Sequence, residues 1–235
     1  MSVSSRITEL KNVLEDLDRT YDIAYPSREL IAPYEALLIQ VESLYSSTAN
    51  TDTGLANAAA GQSERLEIIE LYVQNISQLA CLYRQFYRPH NVVALAERSL
   101  TLTHSLLIDT SDKVNFLNHS SNQITLPDCF AHLYFTLLQC FSSVHELNSR
   151  EFDLEPLCKK MLAISESGYQ SQPRLWAEAY AWNLATLAMS ITEQSRSNEQ
   201  SHFYQKSFMV FNFYELRIPH FWQQEYANHS DTVFH

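Results

Sequence analysis

Apolar residues recur every three or four positions through most of this chain, which is the spacing of one face of an α-helix. Near the start, such a stripe runs through residues 7–21. Pro26 ends this first helix, because the residue before a proline disfavours helical backbone. Ser27 is suited to cap a second helix. Residues 1–47 are therefore predicted to form an N-terminal helical hairpin.

The pattern changes after residue 47. Residues 48–63 are polar and contain no large apolar cluster, so we predict a mobile linker there. Helical spacing then returns and continues to residue 216, in an array that residues 217–235 are predicted to cap. The array comprises six predicted helices, at 64–87, 90–108, 127–148, 153–167, 173–195 and 198–216. Only three glycines occur in 235 residues, too few for folds that need glycine at tight turns. The predicted fold class is all-α.

Three stretches of the array share one spacing of residue types. Each begins with a large apolar residue and continues at offsets of 3, 4, 7, 16, 20 and 23 without a gap. A small residue stands at offset 4, where two antiparallel helices would come closest. The stretches contain Ile76, Leu79, Ala80, Tyr83, Val92, Ala96 and Ser99; Leu138, Phe141, Ser142, His145, Leu154, Cys158 and Met161; and Leu184, Leu187, Ala188, Ile191, Gln200, Tyr204 and Ser207.

This pattern resembles the tetratricopeptide repeat, a helix–turn–helix unit. The closest stretch is LACLYRQFYRPHNVVALAERSLTL (79–102), and ALAERSL (94–100) aligns with HFYQKSF (202–208). The resemblance covers about residues 70–212 and implies antiparallel helical pairs stacked as an array. Two features depart from the family. The closing proline is replaced by His104, Glu166 and Asn212, and the units start 62 and 46 residues apart instead of about 34. An irregular helical bundle is the alternative fold.

A tetratricopeptide-like array implies a concave groove that binds a protein or peptide. Trp182 and Met189 would be its apolar anchors, and Arg84 is too isolated a cation for a carboxylate clamp. The alternative is that the groove positions are ordinary solvated ones. The predicted groove residues are Gln74, Ser77, Arg84, Gln85, Gln139, Ser143, Glu146, Trp182, Met189 and Glu193.

Aromatic residues crowd the end of the chain. Phe213, Tyr214, Phe221 and Trp222 exceed what one helical pair is expected to bury. They are predicted to belong to a capping segment, since an array must cover its last apolar face. The alternative is an interface, either of a homodimer or with a partner.

Charge and hydropathy narrow the classes of partner. The net charge of −11 disfavours a nucleic-acid binder, which needs clustered Lys and Arg. No apolar run approaches the roughly 20 residues that span a bilayer, and the first residues lack the apolar region of a signal peptide. The four cysteines have no paired spacing, and we expect reduced, buried thiols. A cytoplasmic protein without direct nucleic-acid or membrane contact is predicted.

The residues that could support chemistry form no complete motif. Cys129, His132 and Cys140, with Asp128, are the most metal-like group, but a tetrahedral site needs ligands from more than one segment. No metal site, cofactor or catalytic residue is predicted. The predicted function is a non-catalytic adaptor, chaperone-like or regulatory subunit that binds a protein or peptide. The alternatives are a small-molecule- or metal-binding helical enzyme, and a structural oligomer assembled through the C-terminal aromatics.

Overall fold

The computed structural model describes residues 2–21, 25–49, 58–114, 128–148, 153–191 and 194–230. Within these ranges the secondary structure is helical and contains no strand, which confirms the all-α fold class. Short 3-10 turns at Arg28–Leu30 and Gln194–Arg196 precede two of the helices. The helices are α1 (Val3–Thr20), α2 (Ile31–Ala49), α3 (Ala58–Gln85), α4 (Pro89–Val114), α5 (Cys129–Asn148), α6 (Glu155–Ser171), α7 (Pro173–Ser190), α8 (Ser197–Phe213) and α9 (His220–Ser230). None of these helices is both long and apolar enough to cross a bilayer.

The chain divides into two compact units, Met1–Val92 and Val93–His235. The boundary lies in the first turn of α4, so the predicted array of residues 64–216 extends over both units. The predicted linker also differs from the helix bounds, because α2 continues to Ala49 and α3 begins at Ala58. Three consecutive alanines start α3, and alanine has the highest helix propensity even without an apolar cluster. The rest of the predicted linker, residues 50–57, lies outside the described residues.

The first unit packs α1, α2 and α3 side by side. Polar contacts near the helix ends show the directions of the helices. The Tyr34 hydroxyl at the start of α2 donates to Asp18 at the end of α1, over 2.7 Å, so these helices are antiparallel. The Tyr83 hydroxyl near the end of α3 donates to Glu35, over 2.6 Å, so α3 runs antiparallel to α2. Burial and this bond raise the pKa of Tyr83 to about 12.

The second unit is built around α7, which is buried on nearly every side from Trp176 to Ala188. Five alanines in this span allow neighbouring helices to approach closely. On one side, the Asn183 amide of α7 donates to the Ser165 hydroxyl of α6, over 3.2 Å. On another, Ser207 of α8 donates to the Ala181 carbonyl, over 2.7 Å. Helices α5 and α9 cover further sides of α7.

Gly168 lies within α6, which continues to Ser171 instead of ending at residue 167 as predicted. Its φ is not positive, so it is not a left-handed cap. A β-carbon at Gly168 would lie 2.5 Å from Cε2 and 2.8 Å from Cε3 of Trp176. The glycine is needed because the indole of Trp176 lies against the α6 backbone.

Candidate interaction site

Helices α5 and α7 place aromatic and polar side chains on one surface of the second unit. On α5 these are His132, Phe135 and Gln139, and on α7 they are Glu178, Trp182 and Met189. We call these six residues the α5–α7 face. Along each helix, successive members are three, four or seven residues apart, which puts them on one side. The Phe135 ring meets Trp182 edge-on, with 5.6 Å between centroids.

Helix α9 covers the centre of the α5–α7 face. The rings of Trp222 and Trp182 are 4.4 Å apart, and Phe221 lies 6.1 Å from Trp182. The ring of Phe211 on α8 lies 6.2 Å from Trp222 on another side. Trp182 is therefore only 6% exposed and Trp222 only 1%. The buried indole N–H of Trp222 has no hydrogen-bond partner among the described residues.

A carboxylate lies one helical turn from Trp182 on the same side of α7. Glu178 is half-buried, and loss of solvent raises the pKa of its carboxyl group, which the charge of His132 partly offsets. Neither a hydrogen bond nor an ion pair of the Glu178 carboxylate occurs within the described parts of the chain. The face thus combines an aromatic centre with a desolvated negative group.

No family model, curated protein or solved structure matches this chain.

The predicted groove residues are distributed over both units. Gln139, Trp182 and Met189 come together on the α5–α7 face, where Gln139 and Met189 are half-buried. Four others lie on α3 in the first unit: Gln74 and Arg84 are exposed, Gln85 is half-buried, and Ser77 is buried with its hydroxyl donating to the Val73 carbonyl. The side chains of Ser143, Glu146 and Glu193 are outside the described residues. The groove as a whole therefore stays a prediction.

The four C-terminal aromatics occupy different environments. Trp222 is buried, Phe221 is 42% exposed, and Tyr214 is half-buried with its ring 6.0 Å from that of Tyr169. Phe213 is 78% exposed on α8, and Met209, one turn earlier, is 72% exposed. An interface through these residues stays a prediction, with Phe213 the most accessible of them.

The structure adds Phe135, Glu178 and Met209 to the residues identified from sequence. Phe135 and Trp182 are 47 residues apart, and His132 and Glu178 are 46 apart. The second and third repeat stretches are also offset by 46 residues. That offset pairs His132 with Glu178, so it could have pointed to Glu178, whereas Phe135 lies one position before the residue that the offset pairs with Trp182.

The cysteine and histidine group on α5 does not converge on one point. Cys140 is buried, whereas His132 is exposed and Cys129 is half-buried. Across the described residues, no three His, Cys, Asp or Glu side chains are arranged to hold a metal ion. The expectation that all four thiols are buried is wrong for Cys81 and Cys129, which are half-buried.

Proposed function

We propose that this chain is a cytoplasmic, non-catalytic adaptor or regulatory subunit that binds a protein segment through the α5–α7 face. The observation that carries the proposal is the seating of α9, a short helix that places two adjacent aromatic side chains against Trp182. Helix-in-groove recognition uses the same arrangement, in which a few buried aromatic anchors supply most of the binding energy. The face is thus able to receive a helical segment.

The packing of α5, α7 and α8 supports a tetratricopeptide-like arrangement of helical pairs. Helices α7 and α8 form an antiparallel pair, tied by Ser207 to Ala181 and by Gln200 to the Ala188 carbonyl. His132 of α5 lies near Glu178 of α7, 46 positions later, which equals the offset of the repeat stretches, and Phe135 contacts Trp182, 47 positions later and one from that offset. In an array, equivalent first helices of successive units lie side by side and build a continuous surface.

Site-specific photo-cross-linking tests the proposed function. A photoreactive benzoylphenylalanine would replace Gln139 or Met189, two half-buried residues of the α5–α7 face. A matched probe at Lys160, exposed on α6, controls for random encounters. We expect both face positions to capture the same protein from the native host, and the control position not to capture it. Capture that is equal at all three positions, or absent at the two face positions, would contradict the proposal.

A second candidate function is self-association through α8. Met209 and Phe213 are large apolar residues, one turn apart and more than two-thirds exposed. Exposed apolar pairs of this kind are typical of interfaces. Light scattering of the chain and of the Phe213→Ser variant tests this candidate, which predicts a dimer that the substitution dissociates. Phe213 is a better probe than Trp222, because Trp222 packs against Trp182 and its removal would also weaken the docking of α9.

A further inference from the structure

Helix α9 packs aromatic side chains against the α5–α7 face, but its sequence has no Lys or Arg to pair with the carboxylate of that face. Phe221 and Trp222 contact Trp182, while the flanking residues His220, Gln223 and Gln224 are exposed. The α9 sequence, HFWQQEYANHS, contains no Lys or Arg. Glu178 therefore lies one turn from the aromatic centre without a Lys or Arg from α9.

The attachment of α9 is limited to few side chains. Among the residues of α9 whose side chains are described, Trp222 is the one that is buried. Its indole N–H is enclosed without an acceptor within the described residues, which weakens the docking. The connection from α8 passes through Glu215, whose φ of 54° is disfavoured for any residue except glycine.

We propose that α9 is an internal competitor for the α5–α7 face. The partner that displaces it is a short amphipathic helix with an aromatic anchor and at least one Lys or Arg. This inference rests on the proposed function and adds both the partner's chemistry and its regulation. The partner's aromatic side chain replaces Trp222 against Trp182, and its cation pairs with Glu178. The chain's net charge of −11 favours the approach of a basic segment.

Because α9 competes for the face, the apparent affinity for the partner is the intrinsic affinity multiplied by the fraction of molecules in which α9 is released. The wild-type chain therefore binds such a helix weakly, and a chain with weakened α9 docking binds it more tightly. Partner binding also frees α9, which exposes its backbone amides to solvent exchange.

The test uses two fluorescein-labelled peptides and the full chain. One peptide is residues 220–230, which contains no Lys or Arg, and the other is the same segment with Gln223→Lys, Gln224→Lys and Glu225→Lys. Three consecutive lysines point to different sides of a helix, so one of them faces Glu178 whichever way the peptide lies. Fluorescence anisotropy measures the affinity of both peptides for the wild-type, Trp222→Ala and Phe221→Ala chains. Phe221 is half-exposed, so its replacement is the milder variant, and circular dichroism confirms that each variant is folded.

We expect the lysine peptide to bind the Trp222→Ala chain at least about tenfold more tightly than the wild-type chain. Phe221→Ala gives a smaller change in the same direction. In the wild-type chain, saturating lysine peptide speeds amide exchange in α9. In the Trp222→Ala chain, adding Glu178→Gln removes the preference for the lysine peptide over the unmodified one. Adding Glu97→Gln instead, at an exposed carboxylate of α4, leaves that preference unchanged.

Equal affinity of wild-type and variant chains for the lysine peptide would overturn the proposal. So would the absence of peptide binding to every chain. If the cross-linking probes still capture a protein in that case, the proposed function stands and α9 is a permanent cap. If the wild-type chain is a dimer and the 220–230 peptide dissociates it, the occupant of the face is α9 of a second copy. That result would also overturn the partner proposed here.

Discussion

The α-carbon of Gly168 and the indole of Trp176 are in direct contact, and this contact sets how closely α6 approaches α7. Any side chain at residue 168 would occupy the space of the ring. Trp176 is almost fully buried and also lies 6.0 Å from Tyr134, so the indole has no free direction in which to move.

Gly168→Ala should therefore destabilise the protein, although alanine favours helix. Overpacking of this kind costs roughly 1–3 kcal/mol of unfolding free energy. Gly61→Ala is the matched control, because nothing lies within 4 Å of a β-carbon there, and it should gain at most about 1 kcal/mol from helix propensity. Urea denaturation measures both changes. Equal effects of the two substitutions would show that the Trp176 contact is not restrictive.

Glu215 should be replaceable by glycine with a gain in stability. It follows α8 with a φ of 54°, while its own N–H and that of Leu216 bond to the Asn212 and Phe211 carbonyls. The left-handed conformation costs roughly 1–2 kcal/mol for residues other than glycine. Replacement by glycine removes this cost, but about half of the gain is lost because glycine raises the conformational entropy of the unfolded chain. We expect Glu215→Gly to stabilise the chain by about 1 kcal/mol in thermal or urea unfolding. Asn212→Gly, inside α8, should instead destabilise it.

The ion pair of Glu155 and Arg196 should make stability fall in acid. Arg196 donates two hydrogen bonds of 2.8 Å to the carboxylate, and these, with a further contact of 2.7 Å from Lys159, hold the pKa of Glu155 at about 2. The folded pKa lies below the ordinary value of 4.5, so the contribution is complete above pH 4.5 and is lost as the pH falls towards 2. Arg196→Gln should lower the urea midpoint at pH 6 and flatten its fall between pH 4.5 and 2.

Arg19→Gln is the control for that substitution. Arg19 contacts the carboxylates of Glu15 and Asp16, but all three of these side chains are exposed. Exposed ion pairs contribute little to stability, so the urea midpoint of this variant should match the wild type across the same pH range. A comparable shift in both variants would attribute the effect to net charge.

Two buried asparagines should respond differently to alanine. The Nδ2 of Asn183 donates to the Ser165 hydroxyl while its Oδ1 has no partner, whereas neither side-chain polar atom of Asn75 has a partner among the described residues. Asn183→Ala should lose about 1 kcal/mol, while Asn75→Ala should be neutral or stabilising by up to about 1 kcal/mol, because an unpaired buried amide is itself unfavourable. Both changes add the same helix propensity, so the difference in unfolding free energy reports the hydrogen bond. If Asn75→Ala lowered the unfolding free energy more than Asn183→Ala does, the absence of a hydrogen-bond partner for Asn75 would be contradicted.

The cysteines should divide into two classes in thiol labelling. Burial raises the pKa of Cys158 to about 12, and Cys140 is also buried, whereas Cys81 and Cys129 are half-buried. Because the thiolate is the reactive form, Cys158 and Cys140 should react with a chromogenic disulfide only after unfolding in denaturant. Peptide mapping identifies the labelled residues, and rapid native labelling of Cys158 would contradict its burial.

Local features of the sequence were sufficient to predict several elements of the fold. Apolar spacing and the scarcity of glycine predicted an all-α chain, since both act through the geometry of a single helix. Ser27 was predicted to cap the second helix, and its hydroxyl accepts from the Glu29 N–H at 3.3 Å in the 3-10 turn that precedes α2. The start of α3 was missed, because a run of alanines forms helix without a large apolar cluster to mark it.

The candidate site depended on contacts that only the tertiary structure decides. Trp182 was identified as a groove residue from its position in the third repeat stretch, but its cover by Trp222 joins residues 40 positions apart. The role of Gly168 likewise depends on which ring lies opposite it, and not on its own neighbours in sequence. A sequence determines the apolar faces of its helices through local periodicity. Which face meets which, and what remains exposed, is decided by packing between distant residues.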